Sequence, residues 1–183
     1  IINSTKPMLK ALIRDRGCTP IDLGTVPDEL AMIMAGIAHG LEVGDLVLTT
    51  GGTSLGEKDL VPEAVNELGR PGVVVHGLKI KPGKPTIAAV VDGKLAVGLP
   101  GFPVSAMIAF SVFVRPILMK MMGLKAIPQS WSLQARMAYG IQAGRGKREY
   151  VPVSLTSSPE DIVAYPLLKG SGATSTLALA DGF

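Results

Sequence analysis

The stretch from Asp45 to Asp59, DLVLTTGGTSLGEKD, constrains this chain more than any other. Asp45-Leu46-Val47-Leu48 is a short β-prone run, and Thr49-Thr50 still favours extended backbone. Gly51 and Gly52 then permit a turn that residues with a Cβ resist. Glu57 and Asp59 follow where a helix begins. Strand, glycine turn and helix in that order form the unit of an open parallel sheet, whose ligands bind beyond the carboxyl ends of the strands. An ordinary βα turn with solvated acids satisfies the same spacing.

The flanking segments repeat the alternation. Asn3-Ser4-Thr5 offers N-cap oxygens, Pro7 suits a first helical turn, and Met8, Leu9, Leu12 and Ile13 make one apolar face before Gly17. Thr19 to Leu23 reads as a strand, followed by a turn over Gly24-Thr25-Val26-Pro27. Asp28 can cap a helix from Glu29 to about Leu41. Glu63 to Leu68 completes another helix, which Gly69 and Pro71-Gly72 end. Val73-Val74-Val75 reads as a buried strand, and Thr86–Val91 with Lys94–Gly98 as a hairpin across Asp92-Gly93. Pro103 opens a long helix, Val104 to Met122, which Gly123 ends.

The fold class is therefore α/β, a doubly wound and mostly parallel sheet through about residue 123. After Lys125 the texture changes. Trp131–Met137, Glu149–Leu155 and Ile162–Leu168 read as a small all-β unit. The boundary falls near Ala126-Ile127-Pro128, which divides the chain into 1–125 and 126–183.

Composition narrows the function. Of 183 residues, 47% are hydrophobic and 18% charged, enough for a well-buried core. A net charge of +3, with no basic run interleaved with aromatics, argues against nucleic acid and suits a small anionic ligand. The single Cys18 excludes an internal disulfide or a Cys-based zinc cluster and suits a reducing cytoplasm. Val104 to Met122 contains Ser105, Ser111, Arg115 and Pro116, so it reads as a core helix, not a membrane span. No signal-peptide pattern is present. The start at Ile1 and the stop at Phe183 after ADG read as cuts in a longer protein.

Three places can carry chemistry. In KIKPGKP, Lys81 and Lys84 flank Pro82-Gly83, so one turn can aim two ammonium groups at one anion. The P-loop spacing fails there, and a solvated basic turn is the competing reading. In LPGFPVSA, a helix start supplies unpaired N–H groups and a positive dipole end beside the Ser105 hydroxyl, a seat for an oxyanion. The competing reading is a proline-started core helix. Asp28, Glu57 and Asp59 are strand-end acids of the kind that hold Mg²⁺ together with substrate phosphate. Helix capping for Asp28 and a dipole contact for Glu57 compete with that. His39 and His76 are isolated and read as structural or surface residues. Anion seats and metal carboxylates on the same sheet edge together suggest chemistry on a phosphorylated ligand.

TTGGTSLGEKD, KIKPGKP, GLPGFPVSA, GKREY and KGSGATSTLALADG occur in the order found in the MoeA/gephyrin E-domain family, and the chain resembles that family over essentially its whole length. These are the molybdopterin molybdenumtransferases of molybdenum-cofactor synthesis. The single-domain molybdopterin adenylyltransferases share the glycine loop. They are similar to GGTG followed by Arg-Asp, however, whereas this chain has Gly52-Thr53-Ser54 and Lys58-Asp59. The resemblance implies a molybdopterin-binding domain lacking its first strand, then a C-terminal β domain lacking its last.

It further implies insertion of molybdate into adenylylated molybdopterin with release of AMP, Mg²⁺ as cofactor, and a cytoplasmic homodimer that meets other enzymes of the route. Asp59 and Asp28 match acids of metal binding and catalysis, and Lys84 joins them as a catalytic position. Lys81, Lys84, Ser105 and Ser175 match positions that hold molybdate or substrate phosphate. Gly51, Gly52, Ser54 and Gly56 match the pterin-side loop, Pro100 and Pro103 shape the oxyanion loop, and Lys147 stands where Arg is usual in GRxE[FY].

Three departures leave tungstate open as the metal oxyanion: Asn3 for a commoner Asp, Phe102 for the Asn of LPGNPVS, and Lys147 for Arg, a point charge in place of a bidentate fork. The alternatives are a molybdopterin adenylyltransferase and a non-catalytic pterin-binding or scaffold module. The piece alone is expected to be nearly inactive.

Overall fold

The computed structural model describes residues 3–52, 59–124, 132–142, 144–157, 161–167 and 174–183. Helix α1 runs over Thr5–Asp15. Its N-terminus is closed by the Asn3 side chain, whose Oδ1 accepts from the Lys6 amide at 3.0 Å. Helices α2 (Leu30–Val43) and α3 (Leu60–Leu68) flank strand β1 (Leu46–Thr50) in sequence. Strand β2 (Pro71–His76), a two-residue β3 (Ile80–Lys81), and the hairpin β4 (Ile87–Val91) and β5 (Lys94–Leu99) follow.

The sheet order is β1-β5-β4-β2. β1 and β5 pair parallel, whereas β4 is antiparallel to both β5 and β2. Three strands, β1, β5 and β2, therefore point the same way and only β4 opposes them. The reversal is local. Asp92 (φ 48°) and Gly93 (φ 88°) give the positive-φ pair of a two-residue turn that matches strand twist.

Side chains alternate across the sheet, so each face carries its own core. On one face Ile33, Ile37, Val61 and Val65 of α2 and α3 pack on Val47, Ile87 and Ala89. On the other, Leu9 of α1 and the long helix residues Phe110, Val114 and Leu118 pack on Ala88, Val97 and Leu99. Burial of each large apolar side chain contributes about 1.5–3 kcal/mol. The doubly wound arrangement follows directly from helices covering both faces.

The long helix spans Pro103–Met121 as α4 (Pro103–Ala109), a π turn (Phe110–Val114) and α5 (Arg115–Met121). Pro116 has no N–H to offer the carbonyl four residues back and crowds it, so the wider turn sits just ahead of the proline. By length and composition alone this helix could cross a membrane. Its buried stripe, packed on the sheet, accounts for the same apolarity as core.

Four expectations need correction. Thr19–Leu23 forms no strand: Pro20 cannot donate to a ladder, and the segment leaves Ile21 and Leu23 exposed beside the open edge of β1. A cavity of about 1070 Å³ runs between that segment, α1, α2 and β1. Asp28 does not cap α2, because the cap position falls on Glu29 and no side-chain cap bond forms. β2 is an edge strand with Val74 53% exposed, so its valines are only partly buried.

The tail, finally, is not wholly β. It contains a three-stranded sheet of β6 (Arg136–Met137), β9 (Ile162–Pro166) and β8 (Val153–Ser157), and a short β7 (Arg148–Glu149) that pairs with β3. It also adds helix α6 (Thr174–Leu179), where Leu177, Ala178 and Leu179 are strong helix formers. The boundary at residues 126–128, Trp131 and Leu168 lie outside the described residues.

Candidate functional site

Because β1, β5 and β2 point the same way, their outgoing loops leave from one edge of the sheet. His76, Ile87, Gly98 and Thr49 stand level across the four strands. Beyond them lie the glycine loop after β1, the lysine loop after β2 and the proline loop after β5. The sequence put the candidate residues on these three loops, and the topology brings the loops together.

The glycine and proline loops touch through backbone. The Gly51 amide donates to the Leu99 carbonyl at 3.0 Å, and a Cβ on Gly101 would stand 3.7 Å from the Gly51 Cα. Gly52, at φ 64°, lies so close to Val61 that an added Cβ would meet its Cγ2 at 2.9 Å. Both glycines are therefore required by conformation or space. Ser54, Gly56 and Glu57 lie outside the described residues.

Asp59 sits at the cap position of α3 yet makes no cap hydrogen bond. Its Oδ2 is buried and has no hydrogen-bond partner among the described residues. A buried carboxylate oxygen left without a donor is costly unless something else meets it, and a hard cation does so. Asp28, exposed, lines the cavity that reaches Gly51 and Gly52. Among the described residues no three His, Cys, Asp or Glu side chains gather as a metal cluster.

At the proline loop, Pro100 and Pro103 are buried, and Pro103 takes the first helical position. The first amide to bond within α4 is Ala106, to the Phe102 carbonyl at 2.9 Å. Pro103 has no N–H, so the start of α4 offers the amides of Val104 and Ser105. Ser105 is itself buried, at 6% exposure. Phe102 stands out at 63% exposure.

The lysine loop is closed from within and fixed from outside. Gly77 donates to the Thr86 carbonyl and Leu78 to that of Lys84, each at 2.9 Å. The fully buried Thr86 hydroxyl donates to the Gly83 carbonyl at 2.8 Å. Gly83, at φ 111°, packs where an added Cβ would meet Ile80 Cδ1 at 2.8 Å and lie 3.5 Å from the Ala109 Cβ. Since Ala109 is one turn on from Ser105, the loop rests against the site helix. Lys84 is exposed and makes no ion pair among the described residues, whereas Lys81 pairs with Glu149 at 2.9 Å.

The C-terminal unit reaches the same helix. α6, which carries the exposed Ser175, packs against α4. Lys147 is exposed and lies near enough to Glu149 to help hold that carboxyl below the usual range, after the hydrogen bond from Lys81. Sequence reasoning missed three residues: Thr5, whose hydroxyl binds Gly101; Thr86; and Glu149. Only Glu149 carried a signal, as the acid inside GKREY.

Comparison with known proteins identifies the family. Residues 1–120 match the family model described as a probable molybdopterin binding domain, and residues 134–183 match the MoeA C-terminal region. A putative molybdopterin biosynthesis protein of Methanocaldococcus jannaschii is 32% identical over all of this chain and 42% of its own length. A molybdopterin molybdenumtransferase of Mycobacterium tuberculosis is 32% identical over 90% of this chain and 42% of its own. The crystal structure of a molybdopterin biosynthesis MoeA protein from Pyrococcus horikoshii superposes with a TM-score of 0.83 at 34% identity, covering 100% of this chain and 43% of that one. The chain thus spans about two fifths of the length of these relatives. Matched along both its units, a molybdopterin binding domain followed by a MoeA C-terminal region, the chain belongs to the MoeA family.

Proposed function

We propose that the protein of which this chain forms part inserts molybdate into adenylylated molybdopterin and releases AMP. The observation that carries this reading is the common edge. A glycine loop, a two-lysine loop and a helix start leave the sheet together, and Asp59 after the glycine loop has a buried carboxylate oxygen with no hydrogen-bond partner among the described residues.

Each part has a task in that reaction. Molybdate is a tetrahedral dianion, which the Lys84 and Lys81 ammonium groups and the amides at the start of α4 suit, with Ser105 and Ser175 as further donors. Gly51 and Gly52 let the pterin approach backbone without side-chain obstruction, in the loop that continues through Ser54 and Gly56. Pro100 and Pro103 hold the oxyanion loop in shape, and Lys147 adds positive charge from the tail.

Asp59 and Asp28 would hold a divalent cation, which when bound polarises the phosphoanhydride and offsets charge on the leaving AMP. The same reading gives Mg²⁺ as that ion, a division near residue 126, a homodimer and a cytoplasmic setting.

The test uses the full-length parent. Asp59→Ala and Lys84→Ala are each expected to reduce molybdate-dependent AMP release by 10²-fold or more, on the order of a lost electrostatic contact to the reacting centre. Unchanged turnover in both variants rejects the site. The 183-residue chain alone is expected to be nearly inactive, and robust turnover by it rejects that expectation.

A further inference from the structure

The lysine loop is bound to the C-terminal unit by more than packing. β3 and β7 pair parallel, with Ile80 opposite Arg148 and Lys81 opposite Glu149. Arg148 donates its amide to the Lys79 carbonyl at 2.9 Å, and Tyr150 donates to the Lys81 carbonyl at 2.8 Å. These bonds fix both backbones, and the side chains complete the join with the 2.9 Å ion pair from Lys81 Nζ to Glu149 Oε1.

The two members of that pair are not equivalent. The Glu149 side chain is 12% exposed and the Lys81 side chain 67%. The acid is the more buried member, with the Gly144 backbone beside it also favouring its charged form, while the lysine lies mostly at the surface. A long, exposed ammonium gives up one anion for another at little cost, because water screens the pair and the side chain has many rotamers. Lys84, across Pro82-Gly83, has no such carboxylate among the described residues. A turn that carries two lysines therefore shows a ligand about one net positive charge.

We propose that Glu149 is the internal counter-ion of the lysine loop, engaging Lys81 until a tetrahedral oxyanion displaces it. The C-terminal unit thereby sets the oxyanion affinity of a loop that belongs to the α/β unit. Removal of the carboxylate frees a second cation and deletes a like charge beside the incoming anion. The inference rests on reading the loop as an anion site, which the functional proposal shares.

The experiment measures binding of inorganic molybdate and of sulfate to the chain at low ionic strength by titration calorimetry. Glu149→Gln keeps the side-chain volume and is expected to tighten binding by roughly threefold to tenfold, as removal of one nearby charge in a solvated site implies. Glu149→Asp keeps the charge and is expected to bind as the parent chain does. Lys81→Met is expected to weaken binding and to abolish the gain from Glu149→Gln in the double variant. Unchanged or weaker binding in Glu149→Gln, with Lys81→Met still defective, overturns the counter-ion role and leaves the anion site standing. Lys81→Met binding as tightly as the parent, or no binding by the parent itself, overturns both.

Discussion

The Thr5 hydroxyl donates to the Gly101 carbonyl at 2.7 Å, tying the first turn of α1 to the loop that opens the site helix. The two residues lie 96 positions apart, and Thr5 is 3% exposed. Thr5→Val keeps the shape and removes the donor, leaving a carbonyl without that partner. It is expected to destabilise the chain by about 0.5–1.5 kcal/mol, the net worth of one hydrogen bond, because Gly101 is exposed and water can reach its carbonyl. Thr5→Ser should recover most of the loss. Urea denaturation of the three chains checks both, and equal midpoints for Thr5→Val and the parent refute the tie.

Thr86 plays the corresponding part in the lysine loop, where its hydroxyl reaches the Gly83 carbonyl from a fully buried position. Thr86→Val is expected to cost about 1–3 kcal/mol. It should also loosen the turn that carries Lys81 and Lys84. Amide hydrogen exchange is expected to accelerate at Leu78, whose N–H bonds to the Lys84 carbonyl across that turn, before it does so in β4. Uniform exchange across both would contradict the local role.

The pH dependence of stability turns on Asp22. Its carboxylate accepts from the Gly24 amide at 2.9 Å and from the Lys6 and Lys10 ammonium groups at 3.0 and 3.1 Å. These contacts, the backbone one first, hold its carboxyl well below the usual range. A carboxyl depressed in the folded state adds stability above its unfolded value, near 3.8, and that stability is lost as pH falls toward the folded value. Asp22→Asn should therefore melt below the parent at pH 7, with the gap closing as pH falls below about 4. A gap that widens in acid would reverse the assignment. High salt should shrink it at pH 7, since the lysines are partly exposed.

Local signals in the chain placed most of these elements. Pro103 and Gly123 bound the long helix, Asp92-Gly93 closed the hairpin, and the apolar faces of α1 and α2 were set by helical spacing. The failures came where structure depends on neighbours. Thr19–Leu23 has strand-like composition, but extended backbone becomes a strand only with a partner, and Pro20 weakens any ladder. A mostly parallel sheet placed the candidate loops at one edge in advance, and β1, β5 and β2 do point the same way, but which loops touch depends on strand order, which periodicity does not encode. Glu149 illustrates the same limit. Its charge was visible in GKREY, but its partner lies 68 positions upstream, as the numbers 149 and 81 show, and only the β3–β7 pairing joins them.

Asp59 should separate stability from function. Its Oδ2 is buried without a hydrogen-bond partner among the described residues, so the acid is retained there at a cost in stability. Asp59→Asn removes the charge and keeps the shape, and is expected to leave thermal stability unchanged or raise it by up to about 2 kcal/mol. Millimolar Mg²⁺ should raise the melting temperature of the parent by mass action, since the ion binds the folded chain alone, and should not raise that of Asp59→Asn. In the full-length protein the same variant should lose AMP release. Destabilisation by Asp59→Asn, with equal Mg²⁺ response in both chains, would mark Asp59 as an ordinary structural acid at the head of α3.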